Sequence, residues 1–250
     1  HNLDTGPAAK MMHRFFVSAD CIQQDAIVVS GKLLHQLRHV LRLGKGDSCI
    51  FLDNCGWEYE AVIDRMEKNQ ARTTVQKRRP AGGEPQTRIT LYQGWLKGSK
   101  FELVLQKGTE IGVSAFVPLL CQRSVAIPTP ESQVVKLGRW QAILQEAAEQ
   151  SGRGMIPTVQ PAMLFPGACS SVGCFSLLPW EQERTVSVHL ALKNKPKRRC
   201  VNLFIGPEGG FSPEEVELAR SYGIRTVTLG PRLLRAETAG LVAATLILNE

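Results

Sequence analysis

The feature that most constrains the fold is a regular alternation of strand-like and helical segments in the second part of the chain. Apolar runs that resemble buried strands lie at 88–95, 115–120, 201–205 and 225–229, and segments with helical periodicity separate them. Strands joined through helices pair in parallel, because a parallel connection must cross over the sheet. We therefore predict an α/β domain with a parallel sheet covered by helices on both faces.

Three helices are predicted between these strands. The first covers 100–111, where apolar residues recur on one face, and the second covers 131–150. The third has the clearest boundaries: Ser212 is a typical N-cap, Glu215 completes a capping box, and Gly223 ends the helix. These helices supply the layers that a parallel sheet needs on its two faces.

The N-terminal part of the chain has a different pattern, with short alternating runs and one brief helix at 32–40. The runs that favour strands are 14–17, 26–29, 48–52, 59–63 and 71–75. Short strands joined by tight turns are typical of a small β-barrel. Because prolines and glycines cluster just after the last run, we divide the chain into a barrel domain at 12–80, a linker at 81–86 and an α/β domain at 87–250.

The composition limits the kind of protein this can be. A net charge of +7 favours an anionic partner such as nucleic acid, without proving one. The seven cysteines are odd in number and contain no CxxC pair. We therefore expect reduced, buried thiols in a cytoplasmic protein, with neither a zinc site nor disulfides.

No apolar stretch approaches the roughly 20 residues of a membrane span. We expect residues 1–10 to be an added segment ahead of an initiator at Met11 or Met12.

Two loops that follow predicted strands are candidate ligand-binding segments, because open α/β sheets bind ligands at the carboxyl ends of their strands. The first, 205–211, reads Ile-Gly-Pro-Glu-Gly-Gly-Phe and leads into the capped helix. Its glycines permit a ligand to approach the backbone closely, although a turn without a ligand is the commoner meaning of such a pattern. It is neither a GxGxxG dinucleotide pattern nor a GxxxxGK[ST] phosphate loop.

The second candidate loop, 229–238, runs from a predicted strand into the last helix. Arg232 and Arg235 are three residues apart in it and would suit a phosphate or an anionic base. The alternative is a solvated loop in which these arginines pair with Glu237, and the residues alone do not decide between the two. The helix at 236–248 is apolar almost all round, so we expect a dimer contact there, with burial in a monomer core as the alternative.

Other polar residues are weaker candidates. His35 and His39 lie one helical turn apart but lack a third ligand, so no metal site is predicted. The basic runs 77–79 and 193–199 are either solvated loops or surface that faces phosphate. A nucleophile elbow is absent from the sequence, which disfavours nucleophilic hydrolysis.

Longer motifs give a specific resemblance. They include Met12-His13-Arg14-Phe15-Phe16, Lys107-Gly108-Thr109-Glu110-Ile111-Gly112-Val113, Glu146-Ala147-Ala148-Glu149-Gln150-Ser151-Gly152-Arg153, and the loops at 205–211 and 229–239. From Met12 almost to the C-terminus, and in this order, the sequence resembles the RsmE family of ribosomal RNA small-subunit methyltransferases, within the SPOUT superfamily. Gln122 stands where the family commonly has glutamate, and Ile111 where it has leucine.

The resemblance implies a PUA-like RNA-binding barrel followed by a SPOUT α/β domain with a deep trefoil knot. It also implies a homodimer that uses S-adenosyl-L-methionine to methylate N3 of a uridine in 16S ribosomal RNA of the small subunit. Cofactor binding is carried over to Leu203, Ile205, Gly206, Pro207, Glu208, Gly209, Leu229, Gly230, Arg232, Leu233, Leu234 and Arg235. RNA binding is carried over to Arg14, His39, Arg42, Lys97 and Arg153, and catalysis to Arg235, Arg123 and Glu110.

The chemistry of uridine N3 adds a hypothesis about roles, because this atom is a poor nucleophile until its proton leaves. We expect Arg235 or Arg123 to stabilise the developing uridine anion, while Glu110 or Glu208 organises the pocket or accepts the proton through water. Two alternatives remain: a related knotted methyltransferase that acts on transfer RNA or another base, and a catalytically silent RNA-binding factor. Cofactor binding would separate the silent factor from both enzymes.

Overall fold

A computed structural model describes residues 12–125, 129–193 and 200–250. They divide into two compact units. The described part of unit 1 runs from 12 to 82 and includes Gly152–Met155, while unit 2 comprises Gly83–Ser151 and the described residues of Ile156–Glu250. The predicted mixture of strands and helices is confirmed. The domain boundaries at 12–80, 81–86 and 87–250 stay a prediction.

Unit 1 is built on a six-stranded sheet with the order β1-β4-β5-β6-β3-β2. Its strands are β1 (Arg14–Phe16), β2 (Ile22–Gln23), β3 (Ala26–Ser30), β4 (Ser48–Leu52), β5 (Trp57–Met66) and β6 (Gln70–Pro80). Strand β1 pairs with β4 in parallel, and the other pairs are antiparallel. Tyr59, Ala61 and Ile63 alternate along β5 and are buried. The five strand-like runs of the sequence therefore all form strands, as predicted.

The predicted helix at 32–40 is also present, but its geometry changes along its length. It begins as α1 (Gly31–His35) and continues as a π-helical turn, Gln36–Val40. Leu34 and Leu37 anchor the segment in the core of unit 1. Wider turns of this kind are uncommon and cluster at functional sites, which makes the segment a candidate contact surface.

Unit 2 contains a seven-stranded sheet in which every pair of strands is parallel. The strands are β7 (Arg88–Gly94), β8 (Ala115–Leu120), β9 (Thr158–Val159), β10 (Met163–Leu164), β11 (Phe175–Pro179), β12 (Cys200–Ile205) and β13 (Arg225–Val227). Their order is β10-β8-β7-β12-β11-β13, and β9 pairs with β8. The four predicted strands are confirmed, whereas β9, β10 and β11 were not recognised in the sequence.

The helices of unit 2 are α2 (Lys100–Ile111), α3 (Pro130–Ser151), α4 (Phe165–Ser170), α5 (Val188–Leu192), α6 (Pro213–Ser221) and α7 (Ala236–Leu248). The capping box of α6 forms as predicted: Ser212 Oγ accepts from the Glu215 amide at 3.2 Å, and Glu215 Oε2 accepts from the Ser212 amide at 2.9 Å. Gly112 ends α2 in the left-handed region, with φ of 118°. The three helices predicted between the strands, which correspond to α2, α3 and α6, are therefore confirmed.

Apolar residues on the two faces of the sheet belong to separate clusters. Leu91 and Leu203 pack on one face together with residues of α2, α3, α5 and α7. Their neighbours Tyr92 and Phe204 point to the other face, towards α4 and α6. Helices therefore cover both faces of the sheet, as the alternation of segments predicted.

The prediction that all seven cysteines are reduced and buried is wrong. Cys174 and Cys200 form a disulfide, with their Cα atoms 5.8 Å apart. The cause is the register between β11 and β12, which places Phe175 opposite Val201 and so brings the two preceding cysteines together. Cys55 is an exposed free thiol. Strand register is a tertiary property, so the spacing of cysteines along the chain could not reveal this pair.

The apolar helix α7 packs within unit 2. Ala243, Ala244 and Ile247 are buried in the cluster that also contains residues of β7 and β12, while Leu246 remains partly exposed. The predicted dimer contact stays a prediction. Among the described residues, none of the helices combines the length and the apolar character that a membrane crossing requires.

Candidate active site

A cavity of about 550 Å³ opens in unit 2 at the carboxyl ends of β11 and β12. Its walls come from the loop 205–211, from 228–237 without Pro231, and from the segment that follows β11. This volume lies within the range of roughly 300–1,000 Å³ that is typical of small-molecule sites. The cavity also lies where an open α/β sheet presents its ligand site.

The loop 205–211 approaches its neighbours through backbone atoms. A Cβ atom on Gly206 would lie 3.0 Å from the carbonyl carbon of Gly210, and one on Gly209 would lie 3.1 Å from Cβ of Arg123. Side chains at these positions would therefore crowd the loop. The glycines leave a cradle of backbone that a ligand can approach closely.

The second wall is the loop between β13 and α7. Gly230 adopts a φ of 106°, and its amide donates to Thr228 Oγ1 at 3.2 Å. Arg235 is the N-cap residue of α7, so its side chain extends from the beginning of that helix. Both candidate loops of the sequence therefore contribute to one cavity, because their parent strands belong to the same parallel sheet.

Charged side chains meet at one side of the cavity. Glu208 Oε1 accepts from the Lys97 amide at 3.1 Å and lies 3.5 Å from Lys100 Nζ. The same Nζ is 3.8 Å from Oε2 of Glu237, a residue that is only 9% exposed. Burial opposes ionisation of Glu208, but hydrogen bonds from backbone amides and the charge of Lys100 hold the pKa of this carboxyl below its usual value.

Comparison with known proteins decides the family of this chain. Residues 83–248 match a family described as an RNA methyltransferase domain. The chain belongs to this family. Its relatives include ribosomal RNA small subunit methyltransferase E from Synechocystis sp., 34% identical over 238 residues, which cover 93% of this chain and 76% of that protein. The enzyme of that name from Bacillus subtilis is 30% identical over 245 residues, covering 94% and 96%. The resemblance to this family is therefore confirmed.

A solved structure of the family agrees with the fold. Ribosomal RNA small subunit methyltransferase E from Neisseria gonorrhoeae, bound to S-adenosyl methionine, superposes with a TM-score of 0.84 at 27% sequence identity. The superposition covers 95% of this chain and 97% of that one. The similarity thus extends over both units, beyond the matched methyltransferase domain.

Most of the residues that the family resemblance assigned to the cofactor line the cavity. These are Ile205, Gly206, Pro207, Glu208, Gly209, Leu229, Gly230, Arg232, Leu233, Leu234 and Arg235. Leu203 is the exception, because its side chain is fully buried in the sheet core. Any contribution of Leu203 to a ligand would therefore be made through its support of the strand.

The three residues assigned to catalysis occupy different places. Arg235 lines the cavity, and Arg123 lies beside it, where its Nη1 donates to the carbonyl oxygen of Gly209 at 3.1 Å. Glu110 lies on the last turn of α2 and pairs with Lys107 at 2.8 Å. Glu110 follows Lys100 by ten positions in this helix, which is a distance of about 15 Å along the helix axis. The structure thus brings the two arginines to the glycine-rich loop and leaves Glu110 outside the cavity lining.

Four of the five residues assigned to RNA lie in unit 1. Arg14 forms an ion pair with the buried Glu58, and Arg153 is itself only 3% exposed. His39 lies on the π-helical turn with its ring 4.8 Å from that of His35. Arg42 follows this turn with a φ of 55°, which is an uncommon conformation for a non-glycine residue. His39 and Arg42 thus form an exposed basic segment of unit 1.

The structure describes Lys97 and the basic run 77–79, but only the first residue of the basic run 193–199. Lys97 lies in unit 2, where its amide holds Glu208. In the basic run 77–79, Arg78 places its guanidinium carbon 4.3 Å from the ring centroid of Trp57. Most of the run 193–199 lies outside the described residues. Within the part of the chain that is described, no group of three potential metal ligands occurs.

Sequence reasoning missed several residues of the cavity wall. Trp180, Glu181 and Arg184 follow β11, which was not recognised as a strand. Had that short apolar run been identified, the rule that ligands bind at carboxyl ends of strands would have indicated Trp180. Lys100 was not selected as a site residue, because in the sequence it is only the first residue of a predicted helix. In the structure Glu237 lies near Lys100, rather than pairing with Arg232 and Arg235 as one sequence-based alternative had it.

Proposed function

We propose that this protein transfers a methyl group from S-adenosyl-L-methionine to N3 of a specific uridine in 16S ribosomal RNA. The observation that carries the proposal is the cavity formed by the loops 205–211 and 229–235 in a chain of the RNA methyltransferase family. Two relatives are small-subunit ribosomal RNA methyltransferases by name, and the Neisseria relative is bound to S-adenosyl methionine. Cofactor and RNA class are taken from them.

The cavity fits this methyl donor. The donor supplies an electrophilic methyl group on a positively charged sulfur. The glycine cradle at Gly206 and Gly209 admits a ligand against the backbone, and apolar walls at Ile205, Leu229 and Leu234 suit an adenine ring. These loop residues, with Gly230 between them, would bind and orient the donor. Positioning of the two reactants contributes as much as roughly 7–11 kcal/mol to a reaction of this kind.

The arginines beside the cavity suit the nucleophile. Uridine N3 becomes reactive when it loses its proton, and the resulting negative charge spreads onto the neighbouring carbonyl oxygens. Arg235 at the cavity wall and Arg123 beside Gly209 would stabilise that charge. Arg14, His39, Arg42, Lys97 and Arg153 would bind or orient RNA, and the charge of +7 favours such a partner.

The finer architecture belongs to the same proposal. Unit 1 would be a PUA-like RNA-binding barrel, and unit 2 a SPOUT domain whose loops form a trefoil knot. A homodimer in the cytoplasm, with α7 at its interface, would fit the partly exposed Leu246 of this apolar helix.

The decisive experiment uses small ribosomal subunits from cells that lack the modification. The protein is incubated with them and with labelled S-adenosyl-L-methionine, and the nucleosides are identified by mass spectrometry. We expect labelled 3-methyluridine with these subunits and none with subunits that are already modified. A different methylated nucleoside would overturn the assignment of uridine N3. Cofactor binding without label would redirect the search to other RNAs, and a lack of cofactor binding would favour a silent RNA-binding protein.

A further inference from the structure

Three carboxylates line the cavity within the described residues, and they differ in how their oxygens are used. Glu181 is exposed to solvent. Glu208 is held by the amide of Lys97 and by Lys100. Glu237 is nine-tenths buried, and its Oε2 atom has no hydrogen-bond partner. The Nζ atom of Lys100 is 3.8 Å from this atom, which is too far for a hydrogen bond. One acidic oxygen in the cavity wall therefore lacks a donor.

A buried acceptor without a donor is unusual, because its desolvation is not compensated. Glu237 lies in the first turn of α7, two residues after Arg235. The rigid helix fixes the carboxylate in place, and Lys100 from α2 approaches the same oxygen without reaching hydrogen-bonding distance. Oε2 of Glu237 is therefore a buried acceptor in the cavity lining that a donor group of a bound molecule would satisfy.

We propose that Glu237 is the catalytic base: its Oε2 accepts the N3 proton of the target uridine. This inference rests on the proposed methylation of uridine N3. In the step, the N3–H bond breaks and the proton moves to Glu237 Oε2. The electron pair left on N3 forms a bond with the donor's methyl carbon. The bond from that carbon to sulfur breaks, and its electron pair stays on sulfur, which loses its positive charge.

Glu237 fits this role better than Glu208 or Glu110. Oε1 of Glu208 already accepts from the Lys97 amide at 3.1 Å and lies 3.5 Å from Lys100 Nζ, so this oxygen is occupied. Glu110 pairs with Lys107 outside the cavity lining. Oε2 of Glu237, by contrast, is a buried acceptor in the cavity lining that has no hydrogen-bond partner. Geometry thus selects Glu237 among the candidate carboxylates.

The charged surroundings of Glu237 suit proton transfer near an anion. The charged groups that line the same cavity are Lys100 from α2, Glu181 and Arg184 after β11, Glu208 after β12, and Arg232 and Arg235 before α7. Cations outnumber carboxylates there, which favours the uridine anion once its proton has left. Lys100 Nζ lies 3.5 Å from the Glu208 carboxylate and 3.8 Å from the Glu237 carboxylate, and its charge balances theirs on one side of the cavity.

The test compares wild type with Glu237→Gln, which keeps the shape of the side chain but cannot accept the proton. We expect the cofactor Kd to stay within about threefold, while methylation at pH 7.5 slows by at least about 100-fold. Without a base in the site, only the fraction of uridine that is already ionised reacts, so the rate of the variant should rise about tenfold per pH unit up to pH 9. RNA with 5-fluorouridine at the target position, whose N3 proton is more acidic, should restore much of the lost rate.

Two further variants complete the test. Glu237→Asp keeps a carboxylate and should lose less activity than Glu237→Gln while retaining the pH dependence of wild type. Glu217→Gln, which changes an exposed carboxylate on α6, should behave as wild type. Thermal melting checks that each variant is folded. If Glu237→Gln does not fold, Glu237→Asp decides the matter, because a pH dependence steeper than that of wild type would overturn the proposal.

Other outcomes separate this inference from the proposed function. If wild type makes no 3-methyluridine, the proposed function fails and the role of Glu237 fails with it. If wild type makes 3-methyluridine and Glu237→Gln does so at the same rate, only the inference is overturned. Loss of cofactor binding in a folded Glu237→Gln variant would also overturn it, because Glu237 would then be a ligand of the cofactor.

Discussion

Gly94, at the end of β7, packs backbone against backbone on Pro207. A Cβ atom on Gly94 would lie 2.2 Å from the backbone nitrogen of Pro207. Beside it, the side-chain amide of the buried Gln93 lies within 3.4 Å of the Gly206 carbonyl oxygen, to which it donates. The end of one central strand therefore supports the loop that forms the cavity wall.

Replacement of Gly94 by alanine should disrupt this contact, because neither backbone can yield without moving its strand. We expect Gly94→Ala to lower the free energy of unfolding by at least about 2–3 kcal/mol and to weaken cofactor binding. Gly138 on α3 is a matched control, since a Cβ there meets no atom within 4 Å. Gly138→Ala should be neutral or stabilising by up to about 1 kcal/mol. Urea unfolding measures both, and equal stability of the two variants would contradict the contact.

Removal of the Arg235 side chain should affect turnover more than removal of Arg232. Arg235 is the N-cap residue of α7 and lines the cavity, two residues before Glu237. We expect Arg235→Ala to lower kcat by about 100-fold or more, as the loss of one stabilising group usually does, and Arg232→Ala to have a smaller effect. Single-turnover methylation at saturating cofactor measures both. Intact turnover in Arg235→Ala, with none in Arg232→Ala, would show that the roles of these arginines are reversed.

Glu183 should make the stability of the protein depend on pH in the acidic range. The amide and hydroxyl of Thr185 donate hydrogen bonds to Glu183 and lower the pKa of its carboxyl from 4.5 to about 2. Partial burial opposes this shift, and hydrogen bonds from Val186 and Thr226 reinforce it. The folded pKa is below the usual value, so the stabilisation is complete above pH 4.5 and is lost as the pH falls towards 2.

The corresponding variant is Glu183→Gln. It should lower the free energy of unfolding by about 1–2 kcal/mol at pH 7, and the difference from wild type should shrink at pH 3. Urea unfolding at the two pH values tests this. The control is Glu217→Gln, which changes an exposed carboxylate that pairs with Arg220. A difference between Glu183→Gln and wild type that grows on acidification would have the wrong sign.

The disulfide between Cys174 and Cys200 should stabilise unit 2. It closes a loop with a sequence separation of 26, and a crosslink of that length contributes about 2–4 kcal/mol. We expect Cys174→Ser to lower the free energy of unfolding by that amount, and reductant to lower it in wild type only. Cys55→Ser, which replaces an exposed free thiol, should have little effect.

The redox state of this pair in cells also tests the proposed location. The cytoplasm keeps most thiols reduced, so a disulfide there would have to resist reduction. Rapid alkylation of cell lysates, followed by mass spectrometry of peptides containing Cys174, measures the oxidised fraction. A fully reduced pair would agree with the proposed cytoplasmic location and would mean that the disulfide forms only under oxidising conditions.

RNA binding should weaken steeply as salt increases. Each phosphate contact releases counterions, so the logarithm of the binding constant should fall linearly with the logarithm of salt concentration. Arg42 follows the exposed π-helical turn. Its replacement by alanine should reduce the slope of this salt dependence by about 1. Filter binding at several salt concentrations measures the slope, and binding independent of salt would contradict the electrostatic model.

Local signals predicted much of the fold. The capping box at Ser212 and Glu215 forms because these two residues interact across a single turn, without help from the rest of the chain. Strands β7, β8 and β12 have long apolar runs and were identified from them. By contrast, β11 is a short run that ends in Pro179, and only its pairing with β12 and β13 makes it a strand.

The sequence by itself determined the parallel α/β organisation, the boundaries of the long helices and the family. It also indicated that the loops 205–211 and 229–238 belong to the site. Each of these follows from periodicity, caps or contiguous motifs, which are local properties of a chain. Tertiary structure decided the rest: the Cys174–Cys200 disulfide, the Gly94–Pro207 contact, and the approach of Lys100 to Glu237. These pairs are far apart in sequence and meet only because the register of the parallel strands and the packing of α2 and α7 bring them together.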